Sequence, residues 1–210
     1  MTSADVSPAP SGPTGNSYDK YATGHPLERR LVRGFLRTID ELLPAHAPRR
    51  VLEVGVGEGE ISARVRDRYP SAEVVGIDLF DPELAAEWRA RGHVGAFADV
   101  TRLPFPDDAF DLVLGIEVLE HVEDPSRALA EVQRVGRDRF LLSVPREPIW
   151  RLANLARGRY ARELGNTPGH VNHWSTRSFR QLVDRFVEVE ATRTPLPWTV
   201  VSARHRSGRR

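Results

Sequence analysis

The fold is decided by the stretch Val51-Leu52-Glu53-Val54-Gly55-Val56-Gly57-Glu58-Gly59, a short apolar run followed by three glycines at alternate positions. Residues 60–69 then show a helical pattern that stops before Pro70. Strand, tight turn and helix N-terminus in this order are typical of the place where an open α/β sheet holds a nucleotide-like ligand. Glycine permits positive φ angles and close ligand approach, and the first N–H groups of the next helix face the ligand. A ligand-binding turn is therefore predicted.

The rest of the chain alternates strands with helices. We predict further parallel strands at residues 73–78, 94–98, 110–116 and 140–144. Helices are expected at residues 27–43, 82–91, 125–135, 149–156 and 179–186. The alternation indicates a parallel sheet with right-handed crossovers. Two final strands at 187–191 and 198–203 have so short a link that they must pair antiparallel.

Composition predicts one globular domain. The 210 residues are 40% hydrophobic and 28% charged, which suits a single domain at residues 18–204. Residues 1–17 are rich in proline and glycine and are expected to form a disordered leader. Tyr18 and Tyr21 follow it, either as packing at the domain edge or as part of a lid. Residues 205–210 read as a solvated basic tail.

Several classes of protein are disfavoured by the same composition. The chain has no cysteine, which rules out disulfides, thiolate nucleophiles and cysteine-held metal sites. Its net charge of +1 gives no general attraction to nucleic acid or to anionic membranes. No apolar run reaches the roughly 20 residues that span a bilayer. We therefore expect a cytoplasmic protein, monomeric or homodimeric, without a nucleic-acid or membrane partner.

A carboxylate stands where a nucleotide ribose is usually recognised. Asp78 ends the second predicted strand, about 20 residues beyond the glycines, at the spacing of an acid that accepts hydrogen bonds from ribose hydroxyls. An isolated aspartate after a strand is commonly a helix cap. Here Asp81-Pro82 is better placed to begin the next helix, so ribose binding is the favoured interpretation of Asp78.

These blocks together resemble the class I S-adenosylmethionine-dependent methyltransferases, in particular the methyltransferase-11-like group whose fourth strand leads into a "VLEH" turn. The resembling segments are Val51–Gly59, Val75–Asp78, Ala98–Val100 with Leu103–Phe105, and Phe110–Pro125. The resemblance implies a Rossmann-like three-layer α-β-α sandwich. Its seven-stranded sheet is mostly parallel, with an antiparallel last strand beside the fifth. It also implies S-adenosyl-L-methionine as cofactor and S-adenosyl-L-homocysteine as product.

The resemblance assigns the methionine end of the cofactor to the first and fourth strands. Glu53 resembles the acid that faces the methionine ammonium, directly or through water. Gly55, Gly57 and Gly59 resemble the turn on which the methionine moiety lies. Glu117 lies where the family's fourth strand meets the sulfonium.

The nucleoside end is assigned to the second and third strands. Asp78 resembles the ribose-binding acid, and Leu79 the side chain that packs on the adenine. Asp99 resembles the acid that receives the adenine amino group, and Val100 the neighbouring main-chain contact.

A nicotinamide dinucleotide is the rival ligand for the glycine turn. Its fingerprint requires a sixth-position glycine or alanine, and this chain has Glu60 there. Glu58 and Glu60 would also repel a pyrophosphate at the helix N-terminus. A carboxylate at Glu53 suits an ammonium and a sulfonium far better than two phosphates. The charges therefore favour the sulfonium cofactor.

The acceptor side is expected in the long segment at residues 145–174, which opens at the same sheet edge as the glycine turn. It contains His170 and His173, while His121 follows the fourth strand. An alcohol acceptor must lose a proton, and histidine is the usual base. These three histidines are the catalytic candidates for methyl transfer to a small-molecule hydroxyl, for example that of a carbohydrate. Capping and packing roles are the alternative for the segment and for His121.

Two further alternatives concern metal and activity. Glu117, His121, His170 and His173 are ligand types for a divalent metal, but nothing in their spacing requires one, so no metal is predicted. A non-catalytic protein that binds S-adenosylmethionine or a partner could also use this fold, because a fold does not define a reaction.

Overall fold

The computed structural model describes residues 26–156 and 164–206. Its helices are α1 Pro26–Leu42, α2 Glu60–Arg68, α3 Pro82–Arg91, α4 Pro125–Val135, α5 Ile149–Ala156 and α6 Thr176–Val183. Its strands are β1 Arg50–Val54, β2 Glu73–Asp78, β3 Val94–Phe97, β4 Phe110–Ile116, β5 Gly136–Pro145, β6 Glu188–Arg193 and β7 Trp198–Arg204. A short 3-10 turn, Leu119–His121, follows β4.

All seven strands belong to one sheet in the order β3-β2-β1-β4-β5-β7-β6. Strands β1 to β5 pair in parallel, whereas β7 pairs antiparallel with both β5 and β6. The predicted fold class is confirmed, including the antiparallel last strand beside the fifth. The strand order reverses at β1 and β4, so the crevice at their carboxyl ends is the topological switch point of the sheet.

Two hydrophobic cores cover the sheet, one on each face. One contains Phe110, Val113 and Phe140 beneath α4 and α6. The other contains Phe35 and Ile39 of α1, together with residues of α2. Phe35 stacks on Trp198 of β7 at 4.5 Å between ring centroids. Burial of both faces explains why the central strands are almost entirely apolar.

Asp111 sets the start of the two central strands. Its Oδ2 accepts hydrogen bonds from the backbone N–H groups of Arg49 and Arg50, both at 2.8 Å. The side chain of Asp111 therefore ties the beginning of β1 to β4, and the two strands end at the same edge. This gives the Phe110-Asp111 pair a structural role.

Several boundaries differ from the prediction. Helix α6 begins three residues earlier than the predicted position 179, because Ser175 and Ser178 form a capping box at its N-terminus. Strand β5 begins at Gly136 rather than 140, since it continues directly from α4. The predicted leader, with Tyr18 and Tyr21, and residues 207–210 lie outside the described residues. His205 and Arg206 are attached to the domain, and His205 N donates to Asp138 O at 2.7 Å.

Across residues 26–156 and 164–206, none of the helices combines the length and the apolar character required to cross a bilayer.

Candidate active site

The glycine turn has the backbone conformation that its sequence predicts. Gly55, Gly57 and Gly59 have φ angles of 67°, 49° and 82°, in the left-handed region that favours glycine. A Cβ at Gly55 would collide with the side chain of Val118, and one at Gly59 with the ring of His93. The side chains of Val118 and His93 therefore pack closely against the turn, and only glycine fits at positions 55 and 59.

Asp78 is held against this turn from the end of β2. Its Oδ2 accepts from Gly57 N at 2.7 Å, and its Oδ1 accepts from Leu79 N at 2.8 Å. Burial raises the pKa of the Asp78 carboxyl, while these two hydrogen bonds oppose the shift. Each oxygen keeps a further lone pair, so the carboxylate can still accept from a pair of vicinal hydroxyls.

Two residues that were not predicted support the turn. Trp88 of α3 is buried, and its Nε1 donates to Gly57 O at 2.8 Å. Ser62 of α2 is buried and donates from Oγ to Glu53. In the sequence, Trp88 is the single tryptophan of α3 and Ser62 is a serine on the inward face of α2. Neither feature alone predicts a contact with the turn.

Glu53 is a buried acid at the centre of the crevice. It is 2% exposed, and burial raises the pKa of its carboxyl to about 8, against the opposing effect of the Ser62 hydrogen bond. The negative charge of Asp78 adds to the increase. A group with this pKa is mostly protonated at neutral pH, and a bound cation would favour its ionised form.

We expect the affinity for S-adenosylhomocysteine to increase between about pH 6 and about pH 8. If the ligand ammonium ionises Glu53, binding releases one proton, and the dissociation constant falls by up to about tenfold per pH unit below the free pKa. Calorimetric titrations in two buffers of different ionisation enthalpy measure the released proton. Glu53→Gln should bind more weakly and with little pH dependence, while Arg37→Gln on α1 is the control. A proton count near zero for the wild type would contradict this role.

The nucleoside side of the crevice is more open. Leu79 is 49% exposed and Phe80 is 66% exposed, an unusual pair of apolar side chains beside a polar turn. Ala98 N donates to Asp78 O at 2.9 Å, which brings the end of β3 next to Asp78. Asp99 is exposed, with Oδ1 accepting from the N and Oγ1 of Thr101 at 2.7 and 2.8 Å. Leu79, Phe80 and Asp99 thus provide two apolar surfaces and an acid for a planar polar base.

The end of β4 is strained. Glu117 has a φ of 60°, and its N donates to Ser143 O of β5 at 3.1 Å. A non-glycine residue in this region costs about 1–3 kcal/mol and is retained where the surroundings fix it. Val118 follows and packs against Gly55, so the strained residue borders the glycine turn.

The segment at residues 164–174 is fastened to the 3-10 turn. Glu120 O accepts from Val171 N at 2.8 Å and from Asn172 N at 3.1 Å. The Asn172 amide also donates to Leu119 O and Val122 O at 3.2 and 2.6 Å. Together these four hydrogen bonds fix residues 164–174 on the 3-10 turn that follows β4.

Helix α5 supports the other side of this segment. The Trp150 indole donates to Thr167 Oγ1 at 2.9 Å, and the buried amide of Asn154 donates to Gly165 O at 2.9 Å. The Trp150 ring also packs on His170, with ring centroids 6.1 Å apart. The Trp150 and Asn154 side chains therefore hold the segment together, which is part of the capping role considered above.

Two of the three candidate histidines meet. The rings of His121 and His170 lie edge to face with centroids 4.8 Å apart. His121 Nδ1 is 3.0 Å from Gly169 O, and it must be the donor because a carbonyl only accepts. His121 belongs to the 3-10 turn that follows β4, so the pair lies just beyond the carboxyl end of that strand. His173 lies apart, exposed, with its Nε2 2.7 Å from Asn166 Oδ1.

Known proteins provide an independent comparison. The family described as "Methyltransferase domain" matches residues 52–141, from β1 into β5. A demethylmenaquinone methyltransferase of Thermus thermophilus is 32% identical over 169 residues, which cover 76% of this chain and 77% of that protein. A malonyl-[acyl-carrier protein] O-methyltransferase of Geobacter sulfurreducens is 33% identical over 128 residues, covering 58% of this chain and 45% of that protein.

Solved structures with the same fold include the magnesium protoporphyrin IX methyltransferase of Synechocystis with bound S-adenosylhomocysteine. The TM-score is 0.64 at 16% identity, and the alignment covers 89% of this chain and 91% of that one. At this identity the likeness concerns the fold alone. It agrees with the seven-stranded sheet, whose order reverses between β1 and β4.

Proposed function

The chain belongs to the class I S-adenosylmethionine-dependent methyltransferases. From this premise we propose that it methylates a hydroxyl of a small-molecule acceptor such as a sugar or glycoside. S-adenosyl-L-methionine is the cofactor, and S-adenosyl-L-homocysteine is the product. The proposed contacts are Glu53 and the glycine turn to the methionine moiety, and Asp78 to the ribose. On the adenine side they are Leu79, Asp99 and Val100, while Glu117 borders the sulfonium.

The observation that carries the proposal is the His121–His170 pair beside the end of β4. Methyl transfer from a sulfonium is an in-line displacement with an activated leaving group, so positioning supplies much of the rate. An alcohol nucleophile must also lose its proton, and an imidazole within reach contributes about 10²–10⁴-fold. We assign the activation of the acceptor hydroxyl to this pair. His173, being exposed on the same segment, is proposed to contact the acceptor.

The relatives support an oxygen nucleophile in part. The Geobacter protein is named as an O-methyltransferase, whereas the name of the Thermus protein concerns demethylmenaquinone. Trp150 beside His170 provides an aromatic surface of the kind that packs against sugar rings and quinones alike. Quinone-type acceptors therefore belong in the same test as glycosides. A monomer or homodimer in the cytoplasm, with residues 145–174 as the acceptor-side insertion, remains the prediction from the sequence.

The test is a panel of acceptors with the full chain and labelled S-adenosylmethionine. The panel contains glycosides, other alcohols, quinols, amines and carboxylates, and labelled product is measured together with S-adenosylhomocysteine. We expect turnover in the hydroxyl group of compounds, absent in Asp78→Ala and unchanged in the surface control Arg37→Gln. Turnover confined to amines or carboxylates, or methylation of a quinol on carbon, would refute the hydroxyl acceptor. Cofactor binding without turnover on any compound would favour a binding protein.

A further inference from the structure

The fold brings together three metal-ligating side chains that are not neighbours as a set in the sequence. Glu120 and His121 come from the 3-10 turn after β4, and His170 comes from the segment at 164–174. One ligand atom from each lies within 4.8 Å of those of the other two. It is the one group of three such side chains in residues 26–156 and 164–206. Of the four ligand types considered in the sequence, Glu117 and His173 lie outside this group, and Glu120 takes part with His121 and His170.

We propose that Glu120, His121 and His170 form a binding site for one first-row divalent metal ion. Two imidazoles and one carboxylate match the preferences of zinc, iron, cobalt and nickel, whereas magnesium and calcium prefer oxygen ligands alone. Three protein ligands leave coordination positions open for other groups, as in catalytic rather than structural sites.

The hydrogen bond of His121 supports this assignment. Nδ1–H donates to Gly169 O, which fixes the ring orientation and leaves Nε2 as the nitrogen that can ligate. Metal-ligating histidines usually donate their other ring nitrogen to a carbonyl or carboxylate in this way. Gly169 has a φ of 87°, so the carbonyl is presented by a backbone conformation that favours glycine.

Burial and attachment of the cluster point in the same direction. Glu120 is 1% exposed and His170 is 9% exposed, so the carboxylate is enclosed together with an imidazole. Buried carboxylates are normally paired or bound to a metal. The two chain segments are already joined by the hydrogen bonds of Val171 and Asn172 to Glu120 O, so a metal would join groups that are held in place beforehand.

The role of the metal rests on the proposed function. The cluster follows Glu117 and Val118, which border the glycine turn, so an acceptor hydroxyl on an open coordination position would lie near the sulfonium side of the crevice. A metal-bound hydroxyl has a lowered pKa and can lose its proton to solvent or to a nearby base. In that case His121 and His170 act as ligands and not as bases. The methyl transfer itself is unchanged.

The test is a titration of the chelator-treated full chain with cobalt(II), followed by absorption in the visible range, and with zinc(II) by calorimetry. We expect one equivalent to bind in the wild type, and at least ~100-fold weaker binding in Glu120→Gln and in His170→Ala, which each lose one ligand. His46→Ala, an exposed histidine on another face, should bind like the wild type. Circular dichroism and S-adenosylhomocysteine affinity of each variant show that it is folded.

Two results would overturn the site: no stoichiometric binding by the wild type, or the same affinity in the wild type and in both ligand variants. Turnover separates this proposal from the previous one. If chelated enzyme methylates a hydroxyl at the full rate, the catalytic role of the metal is refuted and the proposed function stands. If the metal binds as expected and no hydroxyl is methylated, the site stands and the proposed function fails.

Discussion

Asp78→Ala is expected to bind S-adenosylhomocysteine at least ~100-fold more weakly than the wild type. The variant loses the carboxylate that would accept the ribose hydroxyls, and charge-assisted hydrogen bonds contribute about 1.5–3 kcal/mol each. It also removes the acceptor for Gly57 N and Leu79 N, so the glycine turn loses the contact that orders it. Isothermal titration calorimetry measures the loss directly.

A neighbouring aspartate supplies the control for this experiment. Asp81 caps helix α3 through the backbone N of Glu83, and Asp81→Asn keeps that capping function. This variant should bind the cofactor within about threefold of the wild type. Asp78→Asn should lie in between, because an amide can still accept but carries no charge. If Asp78→Ala and Asp81→Asn bind alike, Asp78 does not recognise the ribose.

His170→Ala is expected to lower turnover of a hydroxyl acceptor by about 10²–10⁴-fold, with cofactor affinity within a few-fold of the wild type. The ring packs against those of His121 in the 3-10 turn and Trp150 in α5. The loss is expected whether the imidazole removes the proton itself or holds a metal that acidifies the hydroxyl. Steady-state kinetics at saturating S-adenosylmethionine, together with calorimetry, separate the two parameters.

Two variants distinguish a chemical role of His170 from a packing role. His170→Gln keeps polarity and approximate volume but provides no titratable nitrogen, so it should remain as slow as His170→Ala. His46→Ala tests for a general effect of removing a histidine and should leave turnover unchanged. Full turnover in His170→Gln would show that the residue only fills space between Trp150 and His121.

The sheet could be predicted from the sequence because its signals are local. The run from Val51 to Gly59 contains a buried strand, a positive-φ turn and a helix start within nine residues. The short link between β6 and β7 leaves antiparallel pairing as the one geometry available. The start of α6 was missed because Ser175 and Ser178 cap it only when both side chains adopt the reciprocal arrangement.

The site was less predictable because its contacts are distant in sequence. Trp88 reaches Gly57 from a different helix, and no periodicity signals that hydrogen bond. Glu117 and Glu120 both follow β4, and the sequence does not show which of the two acids lies beside the histidines. Only the conformation of the 3-10 turn brings the ligand atoms of Glu120 close to His121 and His170. Likewise, the separation of His173 from His170 depends on how Asn166 and Thr167 fold the segment.

The Asn172 amide donates hydrogen bonds to Leu119 O, at the start of the 3-10 turn, and to Val122 O, just after it. These bonds also have a thermodynamic consequence. Under the proposed function, the segment that would face the acceptor is hydrogen-bonded to the turn after the strand that would border the cofactor, so ordering of one is expected to favour ordering of the other. Linkage requires such an effect to be reciprocal: whatever factor the cofactor adds to acceptor affinity, the acceptor adds to cofactor affinity. We expect the same coupling to apply to the two products after methyl transfer, so that the release of either one would weaken the retention of the other.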